Sequence, residues 1–126
     1  FKNREPVWGN NFYKALLNSK MGLNLSRGLP TKYYSSNRIA SLMGNGLLTF
    51  VDIKTQFNEF FKNDELIFYE NINDLSEKIK FYAKNDEIRK KIASNGKKKY
   101  FKLFNETNIA KYILDISIGK DTNLFK

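Results

Sequence analysis

The sequence predicts an α/β domain built on a thin parallel sheet. Short apolar runs alternate with stretches of helical periodicity, and the connections between them are brief. The run over 47–52 is also apolar almost throughout, as strands covered on both faces are. Residues 10–19 place Phe12 before Leu16 and Tyr13 before Leu17 at i, i+4 spacing, which predicts a short amphipathic helix. Residues 21–26 read as a first strand. Residues 27–35 hold Gly28 and Pro30 and read as a loop. Residues 37–45 predict a helix, with Ser36 or Asn37 as its cap and Gly44, Asn45 and Gly46 turning the chain into a second strand over 47–52.

The pattern then continues toward the carboxyl end. Residues 55–61 predict a short helix presenting Phe57, Phe60 and Phe61, and residues 65–69 a third strand. A helix over 73–84 is expected, capped by Asn73, with Leu75, Ile79, Tyr82 and Ala83 on its inner stripe. Residues 86–104 predict another, opened by Asn85 or Asp86, with Ile88 and Ile92 inward and Gly96 bending or breaking it. Ile109, Tyr112, Ile113 and Ile116 fall at i, i+3, i+4, i+7, which predicts a last helix packed back on the body. Such an order predicts a parallel sheet of about three strands, flanked by helices and followed by a helical tail. A sheet so thin, in a chain opening on Phe1 rather than Met, leads us to expect a single domain over 1–126, the carboxy-terminal part of a larger doubly wound protein.

Composition narrows the chemistry. The 126 residues are 41% hydrophobic and 15% aromatic, as in a chain that buries a core. Cys and His are both absent, which removes thiol nucleophiles, disulfides, His-based triads and the usual zinc sites, so no metal is expected. Lack of Cys fits a reducing, cytoplasmic setting. The net charge of +9 reflects 22 basic against 13 acidic residues. Abundant Lys, Asn, Ile and Phe is what a low-GC coding sequence produces, so distribution says more than the total. No acidic residue occurs from position 6 to 51, where Lys14, Lys20, Arg27, Lys32 and Arg38 all do. The first part of the chain thus favours an anionic ligand.

Residues 23–46 concentrate that tendency: strand, Gly-containing loop, then a helix opening with Ser35, Ser36, Asn37 and Arg38. Parallel sheets bind ligands beyond the carboxyl ends of their strands, and a helix starting there presents unpaired amides and a positive dipole end. Arg38 opposes that dipole, and becomes sensible if an anion lies between its guanidinium and the helix. Ser41 adds a hydroxyl. Tyr33 and Tyr34 are candidates to line a base or sugar pocket, although a plain cap and ordinary loop packing would also account for these residues. Asp52 is the acidic residue nearest to this region, suited to sugar hydroxyls or to an ordinary strand-end turn.

The segment from Tyr13 to Gly28 resembles the helix–strand unit of glycosyltransferases with the GT-B architecture, and Asn37-Arg38-Ile39-Ala40-Ser41-Leu42-Met43-Gly44-Asn45-Gly46 resembles their donor helix. Residues 47–52 and 65–69 look like the strands that follow, and 73–115 like the family's ending. Within that group the chain is most similar to transferases related to spore-maturation glycosyltransferases. The resemblance implies a Rossmann-like domain that holds a nucleoside-diphosphate sugar as donor substrate, with no cofactor or metal. It implies an acceptor, whether glycan, lipid or protein, met through a further amino-terminal domain. Carried over, Arg38 would contact the diphosphate with the amides of Ser36 and Asn37. Ser41 stands where the family has the glutamate that binds the nucleotide ribose, and Tyr33 where its paired glutamate falls. A serine makes one such hydrogen bond but cannot chelate a diol as a carboxylate does. Arg27, Gly28 and Tyr34 complete the expected substrate-binding set.

Two other readings compete. Arg89, Lys90, Lys91, Lys97, Lys98, Lys99 and Lys102 make a basic helix that could meet nucleic acid, although no recognised nucleic-acid motif accompanies it. A peripheral contact at the inner face of a membrane is a milder form of the same attraction. Loss of both glutamates favours a non-catalytic, glycosyltransferase-like interaction domain.

Overall fold

The computed structural model describes residues 5–26 and 28–122. Its elements follow the order α1 (Asn10–Leu17), β1 (Met21–Asn24), α2 (Asn37–Gly44), β2 (Leu48–Asp52), β3 (Ile67–Tyr69), α3 (Ile72–Lys84), α4 (Asp86–Leu103) and α5 (Glu106–Ser117). The sheet is three-stranded and entirely parallel in the order β1-β2-β3, with Leu23 opposite Phe50 and Val51 opposite Phe68. Five helices flank it, so the α/β, Rossmann-like arrangement expected from the sequence is the one observed. No helix among the described residues is long and apolar enough to cross a membrane.

Strand alternation divides the core into two clusters. Val51 and Phe68 face one side with Ile39, Met43, Phe57, Phe61 and Leu66. Leu48, Phe50, Ile67 and Tyr69 face the other with Leu75, Ile92 and Ala93. The longest helix, α4, joins the two by running along the amino ends of the strands. Arg89 donates to the Lys20 carbonyl (3.1 Å) just before β1, and Gly96 lies against the Glu65 backbone just before β3. Side chains before Gly96 therefore enter one cluster, while Tyr100, Leu103 and Phe104 pack against the other. Gly96 does not break the helix, which runs unbroken from Asp86 to Leu103. A Cβ there would sit 2.1 Å from the Glu65 carbonyl oxygen, so close backbone approach explains the glycine.

Other expectations need correction. The stretch 55–61 forms no single helix: two 3₁₀ turns, Ile53–Thr55 and Phe57–Glu59, are separated by Gln56 at φ 58°, which interrupts helical geometry. The cap of α3 is Asn71, whose side chain accepts from the amides of Asn73 and Asp74, both at 3.0 Å. Inside α3, Leu75 is buried but Ala83 is exposed, and Lys78 turns inward to the Phe68 carbonyl. Ile88 is 46% exposed, because Arg89 takes the inward position beside it. The stripe on α5 is real, yet it does not pack as expected. Ile113 (59%) and Ile116 (55%) are exposed, whereas Asp115, paired with Lys111, is the buried residue.

Two outcomes test this packing. Ala is the better helix former by about 1 kcal/mol, so a net loss in Gly96→Ala isolates the backbone contact. We expect that variant to lose about 1–3 kcal/mol in urea unfolding. It should lose more than Gly22→Ala, whose Cβ meets first the Leu42 side chain rather than backbone. The second concerns Asp86, which the hydrogen bond from Arg89 (3.1 Å) holds below its ordinary value, with Lys20 adding to the effect. A depressed folded value gives stability that is present above the unfolded value and lost as pH falls through the folded one. Asp86→Asn should thus lower Tm at neutral pH, with the difference shrinking as pH falls below the ordinary aspartate range. A difference independent of pH would contradict the pairing.

Candidate functional site

The site forms where β1 ends. Asn24, its last residue, is 2% exposed, and its Oδ1 accepts from Ser36 Oγ at 3.2 Å. The Ser36 oxygen also accepts from the Arg38 amide (3.2 Å), making Ser36 the N-cap of α2. One buried amide thereby fixes the amino end of α2 beside the carboxyl end of the strand. At the helix's other end, Gly46 (φ 74°) and Leu47 return amide hydrogen bonds to Met43 and Leu42, closing the turn expected at residues 44–46.

Arg38 lies in the first turn of α2, where no acidic residue accompanies it. Its guanidinium donates to the Leu25 carbonyl at 3.1 Å, which folds the side chain back over the strand end. Among the described residues no carboxylate pairs with Arg38, so most of its five donors stay available to an anion. The amide of Ile39 is taken by the Ser36 carbonyl, while those of Ser36 and Asn37 take no acceptor among the described residues. Ser41 sits one turn further along, and its hydroxyl donates to the Asn37 carbonyl at 3.3 Å. Gly28 adopts φ 72°, which only glycine reaches at no cost, and the neighbouring Arg27 lies outside the described residues.

Tyr33 is the conspicuous residue of the loop. It occupies the left-handed region (φ 58°), which a bulky side chain adopts at a cost of order 1–3 kcal/mol. Its amide donates to the Thr55 carbonyl (2.8 Å) and its hydroxyl to the Glu59 carboxylate, so the turns after β2 hold it there. Lys32 lies 4.6 Å from the centre of the Tyr33 ring and 3.7 Å from Glu59. Tyr33 chiefly, with help from the Glu59 charge, raises the Lys32 ammonium above its ordinary value. Tyr34 continues the turn through its amide, bonded to the Thr31 carbonyl (3.0 Å). Asp52 caps the turn after β2, accepting from the Lys54 amide at 2.9 Å, which is the strand-end role.

Beside this loop opens a cleft of about 650 Å³. Tyr33, Ser35 and Ile39 form one wall, Phe57, Glu59 and Phe60 a second, and Tyr100, Phe104 and Tyr112 a third. Tyr33 meets Phe60 edge to face, as Phe60 meets Phe104, so the walls brace one another. Burial pushes the Tyr100 hydroxyl above its ordinary value. Of the residues expected to bind substrate, Ser36, Asn37 and Arg38 gather at the strand end, and Tyr33 lines the cleft. Ser41 points into its own helix. Glu59 and the third wall escaped sequence reasoning, because Phe57 and Phe60 read as a helix face and Tyr112 as core. The crowding of aromatics at 57–61, just after a strand, was the available signal.

The family model described as "Glycosyl transferase-like" matches residues 1–115. No curated protein and no solved structure matches the chain. With nearly its whole length inside that match, and a parallel α/β sheet beneath it, the chain belongs to the glycosyl transferase-like family.

Proposed function

We propose that the chain is the carboxy-terminal, donor-binding part of a two-domain glycosyltransferase of GT-B architecture, related to spore-maturation glycosyltransferases. It takes a nucleoside-diphosphate sugar, needs no metal or cofactor, and meets a glycan, lipid or protein acceptor through its amino-terminal domain. The observation that carries this reading is Arg38. A cation held over the strand end, in the first turn of a helix that also offers the amides of Ser36 and Asn37, is arranged for a diphosphate. We include Gly28 and Tyr34, in the loop before α2, and Arg27 in the substrate-binding set. Ser41 supports the site through the α2 backbone rather than by clasping a ribose. Cytoplasmic work, with a peripheral contact at the inner membrane face, suits the charge of the chain.

The absence of carboxylates at 33 and 41 favours the competing reading, an interaction domain that has lost its donor. Calorimetric titration with UDP and GDP separates the two. We expect a nucleoside diphosphate to bind, and Arg38→Ala to weaken it about 10- to 100-fold. No heat from either nucleotide would reject the donor site. If nucleic acid instead bound tightly and weakened steeply with salt, the basic-helix reading would replace it.

A further inference from the structure

The outward face of α5 is apolar. Ile113, Leu114, Ile116 and Ile118 are each more than half exposed, while the buried side chain of the helix is Asp115. We infer that this face packs on α5 of a second copy of the chain, the two helices running antiparallel about a twofold axis near Ile113. The inference stands apart from the donor reading and uses none of the residues at the start of α2.

Helical spacing puts Ile109, Ile113 and Ile116 on one side of α5, with Ala110 and Ser117 beside them. Asp115 is on the opposite side, where it accepts from Lys111 at 2.6 Å. Asn108 ties the start of the helix to the body, donating to the Lys102 carbonyl at 2.8 Å. This anchoring leaves the isoleucine side toward solvent, on a helix of 12 residues, a length that is marginal without packing. Ala110 and Ser117 are small, and the Ser117 hydroxyl donates to the Ile113 carbonyl at 2.7 Å. A second helix can therefore approach closely without stranding a donor.

Charge selects the occupant. Glu106 in the first turn and Lys120 just past the last are exposed and have no ion pair among the described residues. They lie equally far along the sequence on either side of Ile113. Lys120 is kept at the helix end by Gly119 (φ 70°) and by its own amide, which donates to the Asp115 carbonyl at 2.8 Å. An antiparallel pair centred on Ile113 sets Glu106 of each copy toward Lys120 of the other and opposes the two dipoles. A parallel pair would bring like charges together. The α1 helix also exposes Tyr13 and Leu17, but it carries Lys14 and no acidic residue, so two copies of it would repel. An anionic bilayer calls for a basic flank, whereas the single cation of α5, Lys111, is taken by Asp115. A twofold contact closes on itself and gives a dimer rather than a chain of copies. One helix face is a small interface, so the dimer is weak and reversible.

Sedimentation equilibrium of the 126-residue chain, from micromolar to millimolar concentration, tests this. We expect the mean mass to climb from monomer toward dimer. Ile113→Ser should weaken association about tenfold, and Glu106→Lys or Lys120→Glu alone severalfold, each with an unchanged fold by circular dichroism. Mixing the two charge variants restores opposite charges at both ends of the pair, so the mixture should associate more tightly than either variant by itself. A chain that stays monomeric at millimolar concentration would overturn the inference. So would association that ignores Ile113→Ser, or charge variants that fail to recover on mixing. A monomer that co-sediments with phosphatidylserine vesicles, and loses them in Ile113→Ser, would give the face to a membrane instead. None of these outcomes depends on whether a nucleotide binds at Arg38.

Discussion

The hydrogen bond between Asn24 and Ser36 is the constraint on which the site depends. A buried amide at the end of a strand must find a partner, since an unmade hydrogen bond there costs about 1–3 kcal/mol. Ser36 answers it while capping α2, so strand end and helix start are fixed by one side chain. The loop between them, 28–35, is then held at both ends, and the Arg38 side chain reaches the Leu25 carbonyl. The placing of Arg38 and the start of α2 beside the strand end is a consequence of how the fold closes its first crossover.

The opposite edge of the sheet does the complementary work. Gly96 lets α4 touch the backbone before β3, and the helix continues unbroken past it to deliver Tyr100 and Phe104 to the turns after β2. Those turns hold Tyr33 in a costly conformation and bring Glu59 to it. Two distant segments therefore meet the loop before α2 in one cleft, next to Arg38. The arrangement places the Arg38 guanidinium and an aromatic recess containing Glu59 side by side.

Much of this was legible in the sequence. The three strands announced themselves as apolar runs, and Ser36 was readable as a cap because a hydroxyl directly preceded a helical period. Arg38 stood out because a cation in a first turn contradicts the dipole. Other features were hidden for physical reasons. Periodicity on α5 reports that the helix is amphipathic, not what covers it, and Ile113 and Ile116 of its stripe face outward. Asn71, Asn73 and Asp74 compete as caps within one turn, and only backbone geometry selects Asn71. The cleft draws on residues from 33 to 112, so no local pattern could announce it. Glu59 gained meaning only once the Tyr33 hydroxyl was found beside it.

A crystal structure of the chain grown with UDP tests the donor grip most directly. The account predicts an ordered diphosphate about 3 Å from the Arg38 guanidinium and from the amides of Ser36 and Asn37. A diphosphate ordered elsewhere, with Arg38 still turned to the Leu25 carbonyl and no ligand at the start of α2, would contradict it.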